Sequence, residues 1–252
     1  TSGGSDYYSK STGALNTLAT WGTNTDGTGT SPTDFSTNFN NFNIRNNATP
    51  TITADWLVSG TGSKVVVGDG TNACNFIVPS SYYFTGNLYV SDNGTFTLQN
   101  DSSPVYKVLT DGSTVNYNNA GAKTIYYSPF GHLKITNTGQ KTIAGQVIAN
   151  SSITVGDGTN ASEFYIPSTF AVYGTADVLN NATLNIANTT APDFGTLSTG
   201  STVKYTATGG SQSSPATDPD YYNLEIDNSN GFSLGGDATV NGTLTLTAVA
   251  IS

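Results

Sequence analysis

The sequence predicts an all-β protein of the parallel β-helix (β-solenoid) type, and three observations carry this prediction. They are a long internal repeat, an alternation of polar and apolar residues with a period of two, and a very low content of charge. Only 10% of the 252 residues are charged, against about 25% in an average globular protein. Coiled coils and ordinary helix bundles are therefore excluded, because they need charged residues on their solvent-facing sides.

The repeat is the strongest of these signals. Val67–Ala73 recurs as Val155–Ala161, 88 residues later, and the correspondence continues without a gap over several further turns and strands. A second correspondence, at 91 residues, relates Leu133–Asn137 to Leu224–Asn228. Self-similarity at a fixed period is the signature of repeat architectures. We therefore predict that residues 41–252 contain about two and a half copies of an 88–91-residue module.

Within the module, polar and apolar residues alternate. Thr239–Thr247, Thr114–Tyr117 and Thr95–Leu98 follow this pattern and are rich in β-branched residues, as expected for half-buried strands. Turn-forming dipeptides such as Asp69-Gly70 and Asn241-Gly242 separate the strands. We expect short strands joined by tight turns throughout the repeats.

Two architectures fit short strands at this spacing. Tandem β-sandwiches would need about seven strands per ~100 residues. A β-solenoid would divide each module into four coils of about 22 residues, with like positions stacked above one another. Stacked like charges repel, whereas Thr, Asn and Ser stack without that penalty. The low charge therefore favours the solenoid, and tandem sandwiches remain the alternative.

The two ends of the chain are predicted to differ. Residues 1–40 lie outside the repeat, and we interpret them as an N-terminal cap. Leu15, Leu18 and Trp21 are spaced by three, which favours a short helix or 3₁₀ turn. Ala248–Ile251 is apolar and has no closing element, so we expect a truncated last coil or a partner that covers it. The chain contains no methionine, which is expected of a processed form or an excised fragment.

Three repeat motifs resemble a known type of protein. They are Ser-Thr-Val-x-Tyr (Ser113–Tyr117 and Ser201–Tyr205), Asn223–Asn228 and Val240–Leu246. These motifs resemble the β-helical repeats of large cell-surface and secreted adhesin-like proteins of Bacteroidetes bacteria, which are cargo of type IX secretion. The resemblance implies an extracellular or cell-surface location and a structural or adhesive role, and it implies no catalytic residues.

Residues able to carry catalysis are few. His132 is the single histidine and Cys74 the single cysteine, so no intrachain disulfide and no usual transition-metal site can form. We predict a surface role for His132 and a packing role for Cys74, whose repeat partner is Ser162. Glu225 and Asp227 are the first candidates for a glycosidase-like carboxylate pair, but their alternation places both on the outside of a strand. We therefore predict that the chain is not an enzyme.

Calcium is the one metal that the sequence suggests. Asn24 and Asp26 provide oxygen ligands at alternate positions before Gly27, like part of an EF-hand loop. The bidentate glutamate of such a loop is missing. Plain turn chemistry, in which Asp bonds to its own turn, is the alternative here and at Asp69 and Asp157.

Adjacent tyrosine pairs are the best indication of a ligand. Neighbours in a strand point to opposite faces, so one ring of each pair can pack while the other meets solvent and stacks on a sugar. Because tyrosine also suits any half-wet strand, packing alone is the alternative. The predicted ligand-binding residues are Tyr82, Tyr83, Tyr126, Tyr127, Tyr221 and Tyr222.

The combined expectation is an extracellular adhesin-type segment that forms a stalk or an attachment surface. The alternatives are a glycan-binding or polysaccharide-degrading β-helix and, through Thr243, Thr245 and Thr247, an ice-binding surface. Surface glycans or another cell-surface protein are the expected partners. The net charge of −9 argues against nucleic acid, and no apolar run approaches the ~20 residues of a membrane span.

Overall fold

The computed structural model describes residues 3–102, 104–126, 129–215 and 219–247. The chain divides into two compact units, Thr1–Asn118 and Asn119–Ser252. Within each unit the strands pair in parallel, except for one antiparallel pair at the start of the first unit. The predicted β-solenoid is therefore confirmed, and the alternative of tandem sandwiches is wrong, because its layers would be antiparallel.

The first unit contains eleven strands among its described residues. They are β1 (Asp6–Ser9), β2 (Trp21–Gly22), β3 (Asn41–Ile44), β4 (Trp56–Leu57), β5 (Lys64–Val67), β6 (Cys74–Val78), β7 (Phe84–Thr85), β8 (Asn87–Val90), β9 (Gly94–Leu98), β10 (Val105–Leu109) and β11 (Thr114–Tyr117). The first sheet has the order β10-β8-β5-β3-β1-β2. On another side of the coil, strand β9 is hydrogen-bonded to β6 and to β11. A separate pair is formed by β4 and β7.

The segment predicted as the cap contains both irregular and regular structure. A 3₁₀ helix spans Leu18–Thr20, which confirms the turn predicted from the three-residue spacing. Leu15 and Trp21 are fully buried. The strand β1 also lies in this segment and pairs in parallel with β3, whereas β2 pairs with β1 in the antiparallel sense. The first sheet thus begins inside residues 1–40, and the boundary at residue 40 stays a prediction.

The second unit continues the same strand-and-turn pattern. Its strands are β12 (Lys123–Ile125), β13 (Pro129–Ile135), β14 (Gly139–Ile143), β15 (Val147–Val155), β16 (Ser162–Ile166), β17 (Val172–Tyr173), β18 (Thr175–Val178), β19 (Thr183–Ile186), β20 (Asp193–Leu197), β21 (Thr202–Tyr205), β22 (Gln212–Ser213), β23 (Asn223–Asp227), β24 (Phe232–Ser233) and β25 (Leu244–Thr247). The last sheet has the order β12-β14-β16-β19-β21-β23-β25. Elsewhere β13, β15, β18 and β20 are bonded in that order, β17 pairs with β15, and β22 pairs with β24.

Coil length varies around the predicted 22 residues. Val65 pairs with Leu88, 23 residues further on, while Thr175 pairs with Asp193 after only 18. The 88-residue repeat nevertheless maps strand onto strand, since β6 corresponds to β16 and both show the same alternation of buried and half-buried residues. Each copy of the repeat therefore builds the same set of rungs.

The core of the first unit is a column of stacked aromatic rings. Trp56 lies at its centre, with its ring centroid 5.2 Å from that of Phe84 and 5.7 Å from that of Trp21. Further along the column, Phe76 packs on Phe96 at 5.3 Å. Trp56 is in register with Phe84 and Phe76 with Phe96, so both pairs occupy equivalent inward positions of neighbouring coils. The core is therefore continuous along the stack of coils in this unit.

The strand β25 is more exposed than its alternation predicts. It pairs with β23 on one side, and Leu244 and Leu246 continue the inward columns of Leu224 and Ile226. Both leucines of β25 are nevertheless about half exposed, at 52% and 51%. The predicted end at Ala248–Ile251 lies outside the described residues, so a truncated last coil or a covering partner stays a prediction.

Candidate functional site

The tyrosine pairs differ in how they divide between core and solvent. Tyr221 is fully buried, and its hydroxyl lies 3.1 Å from that of Tyr205, while Tyr222 is half-buried. Tyr83 is 52% exposed beside a half-buried Tyr82. The predicted inward and outward division is confirmed for Tyr221 and Tyr222, whereas Tyr82 and Tyr83 lie outside the strands and neither is buried. Tyr221 contributes to the core, so the rings available for contact in these two pairs are the exposed Tyr83 and the half-buried Tyr82 and Tyr222.

The third pair lies at the end of β12. Tyr126 is 60% exposed, whereas Tyr127 lies outside the described residues. Tyr173, which the sequence analysis did not select, is also exposed, at 49%. The exposure of Tyr173 could have been predicted from the sequence. Tyr173 follows the apolar Val172 in a strand, and neighbours in a strand point to opposite faces.

The predicted calcium ligands form a tight turn. The Asp26 carboxylate accepts hydrogen bonds from the Thr28 hydroxyl at 2.6 Å and from the Thr28 backbone N–H at 2.9 Å. These bonds lower the pKa of Asp26, the hydroxyl contributing most. The Asn24 side-chain amide donates to the same Thr28 hydroxyl at 3.0 Å. The turn interpretation is confirmed at this position, and calcium binding there stays a prediction.

The two Gly-Asp-Gly turns of the repeat have the same internal bonding. Asp69 accepts hydrogen bonds from the Asn72 backbone and side chain and from Thr71, which lower its pKa to about 2. At the repeat position, burial acts to raise the pKa of Asp157, but bonds from Asn160 and Thr159 outweigh it, and the pKa is again about 2. Both carboxylates serve chiefly to hold their turns.

We expect these turns to make the fold sensitive to acid. A carboxyl group whose pKa is lower in the folded than in the unfolded state stabilises the fold above the ordinary pKa of 3.8 and loses that contribution as the pH falls towards 2. In Asp157→Asn the urea midpoint of the second unit should fall less between pH 5 and pH 2.5 than in the unsubstituted chain. Asp237→Asn, at an exposed position of the same unit, is the control. Equal acid sensitivity of all three proteins would contradict the prediction.

Metal-ligating side chains are scattered. Across residues 3–102, 104–126, 129–215 and 219–247, no three of the His, Cys, Asp and Glu side chains are grouped so that they could hold a metal ion. The His132 Nδ1 lies 2.8 Å from the Ser152 hydroxyl, directly across from it on the neighbouring strand. This histidine is half-buried on the outside of β13, as predicted for a surface role.

The single cysteine is a core residue. Cys74 is buried, and its Sγ lies 3.5 Å from the Ile44 carbonyl oxygen and 3.6 Å from that of Asn47. Burial raises the pKa of the Cys74 thiol to about 11. At the repeat position the Ser162 hydroxyl donates to a carbonyl of the preceding coil at 2.6 Å. The predicted packing role is confirmed, since Cys74 and Ser162 occupy equivalent buried positions at the start of β6 and β16.

The predicted carboxylate pair lies on the outer side of β23. Glu225 forms an ion pair with Lys204 on the neighbouring strand. On the other side, Thr245 is in register with Glu225 and Thr247 with Asp227. A regular ice-binding array would require threonine to repeat along each column. Here acidic residues occupy the neighbouring positions instead.

A surface that the sequence analysis did not identify lies on the first sheet. We call it the basic face and define it as the outward side chains of β1, β3, β5, β8 and β10, with the residues that directly follow β1 and β3. It contains all four basic residues of the first unit, in or immediately after its strands. They are Lys10, Arg45, Lys64 and Lys107.

Aromatic rings and cations are paired on the basic face. The Arg45 guanidinium lies 4.8 Å from the ring centroid of Tyr8, and the Lys64 ammonium lies 5.1 Å from that of Tyr89. The Nε of Arg45 is buried and has no hydrogen-bond partner. Such contacts are favourable where a cation lies within about 6 Å of a ring centroid. They hold both cations near the strands.

Comparisons with known proteins found no matching family model, no matching curated protein and no matching solved structure. Among the described residues, no helix has the length and apolar character needed to cross a membrane.

Proposed function

We propose that this chain is an extracellular adhesin-type module, a β-solenoid that attaches through its outer strand faces or holds them out as a stalk. The observation that best supports this proposal is that tyrosine rings project into solvent from a stacked scaffold. Tyr83, Tyr126 and Tyr173 are each about half exposed or more. Exposed rings can pack on the apolar face of a sugar while their hydroxyl groups form hydrogen bonds.

Polar side chains that bond from coil to coil reinforce the last sheet, whose first strand, β12, ends directly before Tyr126. In the last sheet, the Glu163 carboxylate accepts hydrogen bonds from Gln140 at 2.9 Å and from Asn185 at 2.8 Å. The Asn185 side-chain oxygen in turn accepts a bond from Thr206 at 2.8 Å. These bonds link consecutive rungs on the outside of the sheet. A surface fixed in this way can present several contacts at constant spacing, which favours attachment by repeated weak contacts.

The test is attachment of the intact chain to sugar-bearing surfaces. Beads that carry the purified chain should be retained on a panel of immobilised neutral and acidic glycans or on bacterial cell surfaces. Tyr83→Ser and Tyr126→Ser should each weaken retention about threefold to tenfold, the range expected for one aromatic contact. Leu57→Ser, at a 57% exposed position that carries no ring, is the matched control and should leave retention unchanged.

Two results would overturn this proposal. The first is the absence of retention on every surface tested by a chain whose circular dichroism shows it to be folded. The second is turnover of a polysaccharide that Glu225→Gln or Asp227→Asn abolishes, because the chain would then be an enzyme.

A further inference from the structure

We propose that the basic face binds an acidic polysaccharide, a polymer whose sugar units carry carboxylate or sulfate groups. This inference rests on the proposed adhesive function and names the ligand class of one surface.

Charge is segregated in the first unit. The unit contains eight aspartates and four basic residues, yet all four basic residues lie in or directly after strands of the first sheet. The Lys10 ammonium donates to the Ala19 carbonyl oxygen at 2.7 Å. Only one aspartate, Asp6, lies in a strand of this sheet, and its carboxylate accepts a hydrogen bond from Asn41 at 2.7 Å. A cationic strip on an acidic protein attracts anionic ligands locally while the remaining surface repels them.

Three aspartates border the basic face, two residues beyond the ends of its strands. They are Asp69, Asp92 and Asp111. The Asp69 carboxylate is bonded within its own turn, and that of Asp92 accepts a bond from the Gly112 backbone N–H at 2.9 Å. Arg45 is close enough to Asp69 to help lower its pKa. Lys64 and Lys107 are therefore the cations best placed to meet an anionic ligand.

Rings and aliphatic side chains lie among these lysines. Tyr89 is on β8, between the strands that carry Lys64 and Lys107. Val105 and Val108 of β10 are 51% and 49% exposed, and they lie on either side of Lys107, where the register of β10 with β8 shifts. An ammonium group beside an aromatic ring can bind the carboxylate of a uronic acid while the ring packs on the sugar, and the valines extend the apolar contact.

The spacing of the rungs suits a linear polymer. The outward column Tyr8, Asn43, Val66, Tyr89 and Val108 takes one residue from each successive strand. Asn43 is buried, so the continuous accessible part of the column is Val66, Tyr89 and Val108. Neighbouring strands are about 4.8 Å apart, a distance comparable to the length of one sugar ring in an extended chain. A polysaccharide that runs across the strands therefore meets an equivalent position with every sugar or two. Four cations are too few to match the charge density of nucleic acid, which makes that ligand the less favoured one.

Binding of defined polymers to the intact chain tests this inference. We expect sodium alginate oligomers, which are polyuronates, to bind in calorimetry or fluorescence polarisation, with an affinity that falls as salt is raised. Cello-oligosaccharides, which are neutral, should bind the basic face at least tenfold more weakly. Lys64→Gln and Lys107→Gln should each weaken alginate binding about threefold to tenfold. Lys134→Gln removes the same charge from an exposed position of the second unit and should leave binding unchanged.

A ring variant provides an independent check. Tyr89→Leu should weaken alginate binding by a similar factor without altering the melting temperature by more than a few degrees. The inference is overturned if alginate and heparin both fail to bind, if Lys134→Gln weakens binding as much as Lys64→Gln, or if single-stranded DNA binds more tightly than alginate. Retention on neutral glycans that depends on Tyr83 or Tyr126, without alginate binding, would overturn this inference and leave the proposed function standing.

Discussion

Trp56→Ala should lower the free energy of unfolding of the first unit by about 3–5 kcal/mol, the range for truncating a buried aromatic residue. Trp56 is 2% exposed and is the most connected ring of the aromatic column. Its ring contacts those of Trp21, Phe35, Phe42, Phe76 and Phe84, with centroids 5.2 to 6.4 Å away. Because these rings come from several coils, the cavity would interrupt packing along the stack rather than at one rung.

The neighbouring residue supplies the control. Leu57 is on the same strand but points outward and is 57% exposed, so Leu57→Ala should cost less than about 1 kcal/mol. Urea unfolding followed by circular dichroism compares the two variants without relying on the fluorescence of the removed tryptophan. Equal destabilisation by both variants would contradict the assignment of Trp56 to the core.

Trp56→Phe separates ring packing from hydrogen bonding at the same position. The indole Nε1 of Trp56 is buried and has no partner, and an unsatisfied buried donor costs about 1–3 kcal/mol. Phenylalanine removes that donor and keeps one aromatic ring. We therefore expect Trp56→Phe to be much less destabilising than Trp56→Ala.

The stability of the second unit should rise between about pH 8 and pH 10.5 because of Lys141. This side chain is fully buried, and its ammonium donates hydrogen bonds to the carbonyl oxygens of Asn119 at 2.7 Å and Thr138 at 2.6 Å, with a longer bond to Gly139. Burial lowers the pKa of Lys141 to about 8, from an ordinary value of 10.5. Between these two values the unfolded chain holds a proton that the folded chain has released.

The direction of the effect follows from this difference in bound protons. Stability increases with pH wherever the unfolded state binds more protons than the folded state, so the gain develops from pH 8 and is complete near pH 10.5. A shift of this size corresponds to about 3 kcal/mol. The neutral amine can still donate two hydrogen bonds, which keeps the two shorter contacts.

Lys141→Met tests whether Lys141 causes this rise in stability. Methionine has a similar length and no charge, so the rise between pH 8 and pH 10.5 should disappear. The measurement is the difference in urea midpoint between the variant and the unsubstituted chain at each pH, because titrating groups elsewhere, such as Cys74 and Tyr117, then cancel. Lys134→Met, at an exposed position, should leave the rise intact. A persistent rise in Lys141→Met would assign the effect to another group.

Lys141 shows where prediction from the sequence stops. It is in register with Lys123 on one side and Phe164 on the other, so it occupies a column that the alternation reserves for apolar residues. Alternation predicts which way this side chain points. The lysine is accommodated because carbonyl groups from two turns converge on its ammonium. No pattern in the sequence predicts that these carbonyl groups lie together.

The hydrogen-bond partners of two buried asparagines could also not be predicted from the sequence. The Asn188 side-chain amide donates to the carbonyl oxygens of Phe170 at 2.9 Å and Ser168 at 3.1 Å. Asn100 lies one 88-residue repeat earlier, and its side-chain amide donates to the carbonyl oxygen of Pro79 at 2.9 Å. Their recurrence in the repeat was a usable signal, but only the stacked coils show that each satisfies backbone groups of the coil before it.

The sequence by itself determined the solenoid class, the inward and outward alternation, the turns held by Asp69 and Asp157, and the shared niche of Cys74 and Ser162. These features depend on neighbours in the chain or on one long repeat. Only the tertiary structure decided which side chains share a column, including those that form the basic face. The physical reason is that the separation of paired residues varies, being 18 residues between Thr175 and Asp193 and 28 between Trp56 and Phe84, so residues that stack directly upon one another are not separated by any constant number of positions.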